Sequence, residues 1–482
     1  MTSFNSAASE HGLSNSKYKF LLYHRAIHTR SVMHSQRHCL HNSFTPFSSR
    51  PVKPGHVAKR RALSVSAAQA DVVVREKRAR QGSDEAVLVV GAGIAGLATA
   101  AALHKVGIPV RVLERESGPR REGSAIGLWP NAFRALDALG LAQPLREAHP
   151  LFDRIELCKE DGTVLRAIVL DECEGAPHEF RGVYRGGLLR ALQSGVPPDC
   201  IQYNSAVQSI VQDDDGVSVS LESGELLRGP VLVGADGVRS RVAAALGLRE
   251  PNYAGYIAYR GVATFKGGVP MRMNSVRMLW GKGVRAGLYP LSDTEAYWFT
   301  TKNCSSEERV TDPEECRRDC LETVQGWSSE ITDAIKSTPL ERITRSRIAD
   351  RWLPPGKPYG KGRITLCGDG SQPMTPNLGQ GGCVALEDAI VLARTLQGAV
   401  GRTLGQSAQL HSLTSTSVNE ALRDFERERT RRKLKISVKS NFMGFALQIP
   451  FAPVVAARNF AVSNLLPVRD FLDHAAYDCG TL

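Results

Sequence analysis

Ala86 to Val90 is an apolar run with no polar interruption. A strand buried on both faces needs such a run, so it predicts an interior strand of a parallel sheet. Val231 to Gly234 reads the same way, and Val110 to Leu113 and Arg363 to Cys367 also read as strands. Ile94 to Lys105 and Asn131 to Leu139 carry apolar residues at helical spacing and stop at Gly107 and Gly140. Ile155 to Val169 and Ile201 to Leu221 alternate, as half-buried strands do, with Asp213-Asp214-Asp215-Gly216 as a hairpin turn. Tyr256 to Phe299 continues in antiparallel style. Helices are predicted over Glu314 to Lys336, Gly381 to Leu396 and Val418 to Phe445, and there is no internal repeat.

A chain of 482 residues can bury large cores and divides into two intimately joined domains. Its net charge of +12 is unevenly spread. Residues 1–70 hold ten Lys/Arg and one acid, Glu10, and so carry +9 of that total. The body is therefore close to neutral, which argues against a nucleic-acid partner. The basic, Ser-rich start also holds seven of the twelve histidines and lacks the apolar stretch of a secretory signal. That is transit-peptide composition, with a disordered basic tail as the alternative. Val65-Ser66-Ala67-Ala68 has the look of a stromal processing site, which favours chloroplast over mitochondrion. Ten scattered cysteines without a C-x-x-C pair read as reduced thiols, with no metal site. No clean apolar span reaches membrane-crossing length. Residues 442–457 are apolar but broken by Pro450 and Pro453, which reads as a core-covering or lid helix, with peripheral membrane contact as the alternative.

Two glycine-rich devices carry the chemistry. Gly91-Ala92-Gly93-Ile94-Ala95-Gly96 joins a strand to a helix, and Glu114 ends the next strand. Gly91 permits the tight turn, Gly93 lets a pyrophosphate approach the backbone, and Gly96 lets helix pack on strand. Glu114 can accept from ribose hydroxyls. Ile94 and Ala95 inside the turn and Arg115 beside Glu114 complete this end of a cofactor site. The second device is Gly368-Asp369, followed by Pro373-Met374-Thr375-Pro376 and Gly379-Gln380-Gly381, which opens a helix. A helix start aims N–H groups and a positive dipole end at negative charge. The first device alone indicates a dinucleotide. A second one so far downstream indicates FAD, whose ring and ribityl-phosphate arm both need holding. Between them, Val233-Gly234-Ala235-Asp236-Gly237 is a strand that ends in Asp-Gly.

This order of motifs, with Arg185 in Tyr184-Arg185-Gly186-Gly187, resembles the single-component flavin monooxygenases of the para-hydroxybenzoate hydroxylase fold over residues 85–400. The stretch Pro373 to Pro376, with Gly381-Gly382-Cys383 and Leu386-Glu387-Asp388, is similar to the plant branch near zeaxanthin epoxidase and the salicylate-hydroxylase-like enzymes. The resemblance implies that Asp369 binds the ribityl-pyrophosphate region and that Arg185 lies along FAD. By the same likeness the Val207 backbone meets adenine, and Asp236-Gly237 serves FAD and pyridine nucleotide. Pro376, Gly379, Gln380 and Gly381 would border the isoalloxazine, with Gln372 near the flavin. The chain departs from the family pattern at Gly370-Ser371-Gln372 and at Ala243, which bear on nicotinamide docking and fine flavin positioning.

The implied fold is α/β: a Rossmann-like FAD-binding domain of the GR2 type interleaved with a β-sheet substrate domain, then C-terminal helices. Its segments are a leader and linker (1–84), the FAD-binding domain (85–152, 180–250 and 356–400), the substrate domain (153–179 and 251–355) and a helical region (401–482). The implied activity is hydroxylation or epoxidation of a small apolar or aromatic molecule with NADPH or NADH and O₂. It runs through a flavin C4a-hydroperoxide, with no side-chain acid or base. A reductase or dehydrogenase of the same fold, or an FAD-binding protein with decayed catalysis, is the alternative. Trp280, Tyr289, Tyr297, Trp298 and Phe299 are candidates for an apolar pocket, and Arg260 and Arg285 for its polar end.

Overall fold

The computed structural model describes residues 85–119, 124–175, 177–305, 310–404, 410–469 and 471–482. The expected leader and its expected cleavage position lie outside the described residues. The apolar runs build a five-stranded parallel sheet. Its strands are β1 (Val87–Val90), β2 (Val110–Leu113), β7 (Ile201–Gln202), β11 (Leu232–Gly234) and β17 (Ile364–Leu366). Their order is β17-β11-β1-β2-β7. Every residue of β1, β11 and β17 is buried. Helices cover the sheet, which is why these strands do not alternate. α1 (Ile94–Lys105) packs beneath α8 (Gly381–Leu404). α1 is buried from Ile94 through Leu103 and is accordingly apolar all round.

The alternating segments form a seven-stranded sheet of β4 (Arg154–Lys159), β5 (Val164–Val169), β12 (Asn252–Thr264), β13 (Ser275–Trp280), β14 (Val284–Pro290), β15 (Glu295–Asn303) and β16 (Thr344–Asp350). It runs β16-β12-β15-β14-β13-β4-β5, antiparallel except where β13 meets β4. One face is backed by α6 (Pro313–Thr323) and α7 (Ser329–Lys336), which join Trp298, Tyr259 and Leu279 in a second core. The sequence predicts one helix over Glu314 to Lys336. The structure has two, because Gly326 takes φ +77° between them. The other face looks into the protein and becomes the wall of a cavity.

The remaining strands are a β-meander of β8 (Val207–Gln212), β9 (Val217–Leu221) and β10 (Leu226–Gly229), and the pair β3 (Ala125–Leu128) and β6 (Arg181–Tyr184). α2 (Pro130–Leu139), α3 (Gln143–Ala148), α4 (Arg185–Ser194) and α5 (Arg241–Ala245) fill the connections. Two helices close the chain, α9 (Ser415–Leu447) and α10 (Ala452–Leu465). Both large sheets belong to one compact unit. Among the described residues no helix is long and apolar enough to cross a membrane.

Candidate active site

The glycine turn after β1 is a cradle with one open side. Gly91 takes φ +103°, and a Cβ there would lie 2.7 Å from the Ala235 carbonyl oxygen. A Cβ on Gly96 would collide with the Gly91 carbonyl oxygen, so that glycine serves packing and does not line the cavity. A Cβ on Gly93 would meet nothing within 4 Å. Gly93 begins α1 without a side-chain cap, so first-turn N–H groups are left for an anion. Glu114 is buried at the end of β2, where its carboxylate takes the N–H groups of Ala92 at 2.6 Å and Glu116 at 3.1 Å. Arg115 stands exposed at the rim beside Glu116. Ile94 and Ala95 line the same space.

β11 delivers Asp236 and Gly237 to the opposite lip. Asp236 Oδ2 accepts the Arg241 N–H at 2.7 Å and fixes the start of α5, while its Oδ1 has no partner. Burial pushes this carboxyl up. Arg241 donates to the Val207 carbonyl at 3.1 Å, so that backbone acceptor is engaged from within the protein. The departure at Ala243 lies inside α5, where its N–H is capped by Ser240 Oγ at 2.8 Å.

The second glycine device forms the inner wall, with Asp369, Pro376, Gly379 and Gly381 on the cavity together with Arg185 from α4. The Asp369 side chain is accessible on this cavity and lines it. Its surroundings of protein push the carboxyl up, against the pull of Lys433 and Arg185. The loop is clamped from behind by one face of α9. Lys433 Nζ donates to Ser371 Oγ at 2.7 Å, Gln372 Nε2 to Ser437 Oγ at 3.0 Å, and Ser440 Oγ to the Thr375 carbonyl at 2.7 Å. Asp388 of α8 takes the Gly368 N–H at 2.7 Å while paired with Arg429 at 2.7 Å and Lys433 at 2.6 Å.

Two expectations change here. The Gln372 side chain turns away from the cavity into α9, because the serine at position 437 is its buried partner. Gln380 is buried too, accepting from Asn131 Nδ2 at 2.9 Å, and its side chain does not reach the cavity.

The cavity has a volume of about 1430 Å³ and runs from the cradle to the seven-stranded sheet. Typical small-ligand pockets measure about 300–1,000 Å³, so this one can take a large cofactor and a substrate together. Trp280, Tyr289, Tyr297 and Phe299 line its far end. Trp298 does not. Side chains alternate along β15, so Trp298 points into the second core, where Nε1 donates to Thr338 Oγ1 at 2.7 Å.

Both arginines of the expected polar end are there. Arg260 bonds Ser346 Oγ. Arg285 is buried, and its guanidinium donates to Asn377 Oδ1 at 2.6 Å. Among the described residues no carboxylate pairs with Arg285, its Nε has no partner, and burial lowers its pKa.

The sequence reading missed Trp129, stacked on Phe180 at 3.8 Å, and the C-terminal Phe471 and His474 on the cavity wall. Burial lowers the His474 pKa. Only chain topology brings these residues to the site. No group of metal-ligating side chains occurs among the described residues.

The residues present fit FAD: an open cradle at an uncapped helix start, the Glu114 carboxylate on the cavity beside it, and a second glycine wall carrying Asp369. Comparison with known proteins agrees. Residues 84–416 match the model of the FAD binding domain family. Monooxygenase 2 of Arabidopsis thaliana is 32% identical over 404 residues, covering 82% of this chain and 98% of that protein. The chloroplastic zeaxanthin epoxidase of Nicotiana plumbaginifolia is 34% identical over 372 residues, 73% of this chain and 53% of the epoxidase. Klebsiella pneumoniae HpxO, solved with FAD and uric acid, shares the fold with a TM-score of 0.70 at 23% identity, over 83% of this chain and 99% of that one. With the family model matching most of its length and a relative aligned almost end to end, the chain belongs to the FAD-binding-domain family and is an FAD-dependent, NAD(P)H-using monooxygenase.

Proposed function

We propose that the chain hydroxylates or epoxidises a flat, mostly apolar molecule that presents one acidic or strongly polarised oxygen to Arg285. The observation that carries this reading is Arg285 itself, a fully buried cation that shares the cavity wall with Arg260 and with Trp280, Tyr289, Tyr297 and Phe299, without a carboxylate partner among the described residues. A buried charge is costly unless something pairs with it, and a substrate oxygen would do so. Gly91, Gly93, Ile94, Ala95, Glu114, Arg115, Arg185, Val207, Asp236, Gly237 and Asp369 hold FAD, with Pro376, Gly379 and Gly381 beside its ring. Bound FAD supplies electron transfer from the nicotinamide and activation of O₂. The chain's own residues orient the substrate and keep water out. Residues 85–152, 180–250 and 356–400 act as the cofactor domain, and 153–179 with 251–355 as the substrate domain.

The test is a screen of aromatic and isoprenoid compounds for accelerated NADPH and NADH oxidation, followed by mass spectrometry of products formed under ¹⁸O₂. One labelled oxygen from O₂ supports the reading. Label from water, or peroxide as the sole product of accelerated oxidation, overturns it.

Residues 1–84 direct import into plastids, with cleavage near Ala67-Ala68; their composition and the chloroplastic zeaxanthin epoxidases support this. A reporter carrying residues 1–75 should enter plastids and be clipped, and cytosolic retention counts against it. The near-neutral charge of residues 71–482 argues against nucleic acid as a partner.

A further inference from the structure

We infer that α10 and the C-terminal half of α9 form a docking face for an anionic lipid bilayer, with the mouth of the active-site cavity opening onto it. Of the thirteen large hydrophobic side chains exposed among the described residues, seven fall between Val438 and Leu465. α10 runs fourteen residues with only Val455 buried, although most of its residues are apolar. A helix this apolar is normally buried, so something outside the described chain covers it.

The charge pattern says what. Arg431, Lys435, Val438, Phe442 and Phe445 follow one another at intervals of three or four along α9, and all are exposed. One stripe thus runs from cationic to aromatic toward the C-terminus of the helix. Between Glu428 and Asp470 the sequence has no acid at all. A second protein surface would not require this one-sidedness, whereas the headgroup layer of an anionic bilayer does. The helices are also too short in apolar length to cross, which fits a helix pair lying in the interface.

The patch is continuous with the site. Phe442 is 71% exposed yet also lines the cavity. Met443, Leu447, Val462 and Leu466 of the same segment line it from within. A lipophilic substrate could pass from bilayer to aromatic wall without crossing water. That last step rests on the monooxygenase reading; the docking itself does not.

The full-length protein should sediment with phosphatidylcholine–phosphatidylglycerol vesicles at low salt. Phe451→Ser/Phe460→Ser/Leu465→Ser should lower the bound fraction about tenfold, while retaining its FAD absorbance as evidence of folding. Arg431→Glu/Lys435→Glu should abolish the preference for phosphatidylglycerol over pure phosphatidylcholine. Three results would overturn the inference. The wild type could fail to bind either vesicle. The triple variant could bind as well as the wild type, assigning retention to the basic leader. Velocity sedimentation without vesicles could show a dimer that the triple variant loses, making a second copy the occupant. Vesicle retention is read without turnover, so its failure leaves the monooxygenase reading standing, and the reverse also holds.

Discussion

Lys433 of α9 and Asp388 of α8 meet at 2.6 Å with neither side chain exposed, and the same Asp388 holds the Gly368 N–H. Two helices are thereby locked to the start of the loop that carries Asp369. Burial alone would raise the Asp388 carboxyl, but Lys433 and Arg429 outweigh it and hold the carboxyl below its ordinary value.

Lys433→Met is expected to lower stability by about 3 kcal/mol, since breaking a buried pair strands its partner. Arg429 remains on Asp388 and moderates the loss. A carboxylate held low stabilises the fold fully above the ordinary Asp value of about 4, and that contribution is lost as pH falls through the lowered value. Thermal melts of wild type and variant should therefore differ at pH 7 and converge in acid. Parallel pH profiles would show that the pair contributes nothing to stability.

Gly93 and Gly96 should separate cofactor binding from folding. Gly93→Val puts a side chain into the open side of the cradle. The apoprotein melting temperature should hold while FAD affinity drops at least about tenfold. Gly96→Ala drives a methyl group into the Gly91 carbonyl, and should cost about 3 kcal/mol or leave the protein insoluble. Flavin titration and calorimetry read both; equal effects from the two changes would refute the division.

Asp369 should show a conflict between stability and binding. Its carboxyl is pushed up by its surroundings. A carboxyl held high stabilises the fold only in acid. That contribution is lost as pH rises through the raised value, so its charge costs stability at neutral pH. Asp369→Asn should raise the melting temperature of the apoprotein at pH 7, with a gain that shrinks toward pH ~4. It should weaken FAD about tenfold. An unchanged apoprotein melt would show that the carboxylate is well solvated in the empty cavity.

Arg285→Met should behave likewise for substrate: a more stable protein with a KM raised about tenfold or more and FAD binding intact. Arg285→Lys should keep the charge without the fork and recover part of the loss. If neither substitution moves KM, the substrate oxygen is held elsewhere.

The parts of the site that were legible in the sequence are local ones. Gly91, Gly93 and Gly96 act within a single turn, and Asp236-Gly237 within another. What stayed hidden depends on register or on distant pairing. Tyr297 and Trp298 are neighbours of the same type, and only the placement of β15 decides which one faces the cavity. The contacts of Ser371, Gln372 and Thr375 with α9 span more than sixty residues of chain and leave no short-range pattern. Gln372 therefore read as a flavin neighbour when it is a strut. The break at Gly326 was missed because both halves of Glu314 to Lys336 carry helical spacing.

The clamp by α9 also sets an order of events. A ribosome releases the β1 cradle long before residues 429–440, because chains emerge and fold from the N-terminus. Until that last stretch appears, the loop with Asp369 has no backing, and half of the flavin site is unsupported. Cofactor loading then waits for residues 429–440, and a message truncated before Ser440 would yield a colourless protein despite carrying every glycine of both motifs.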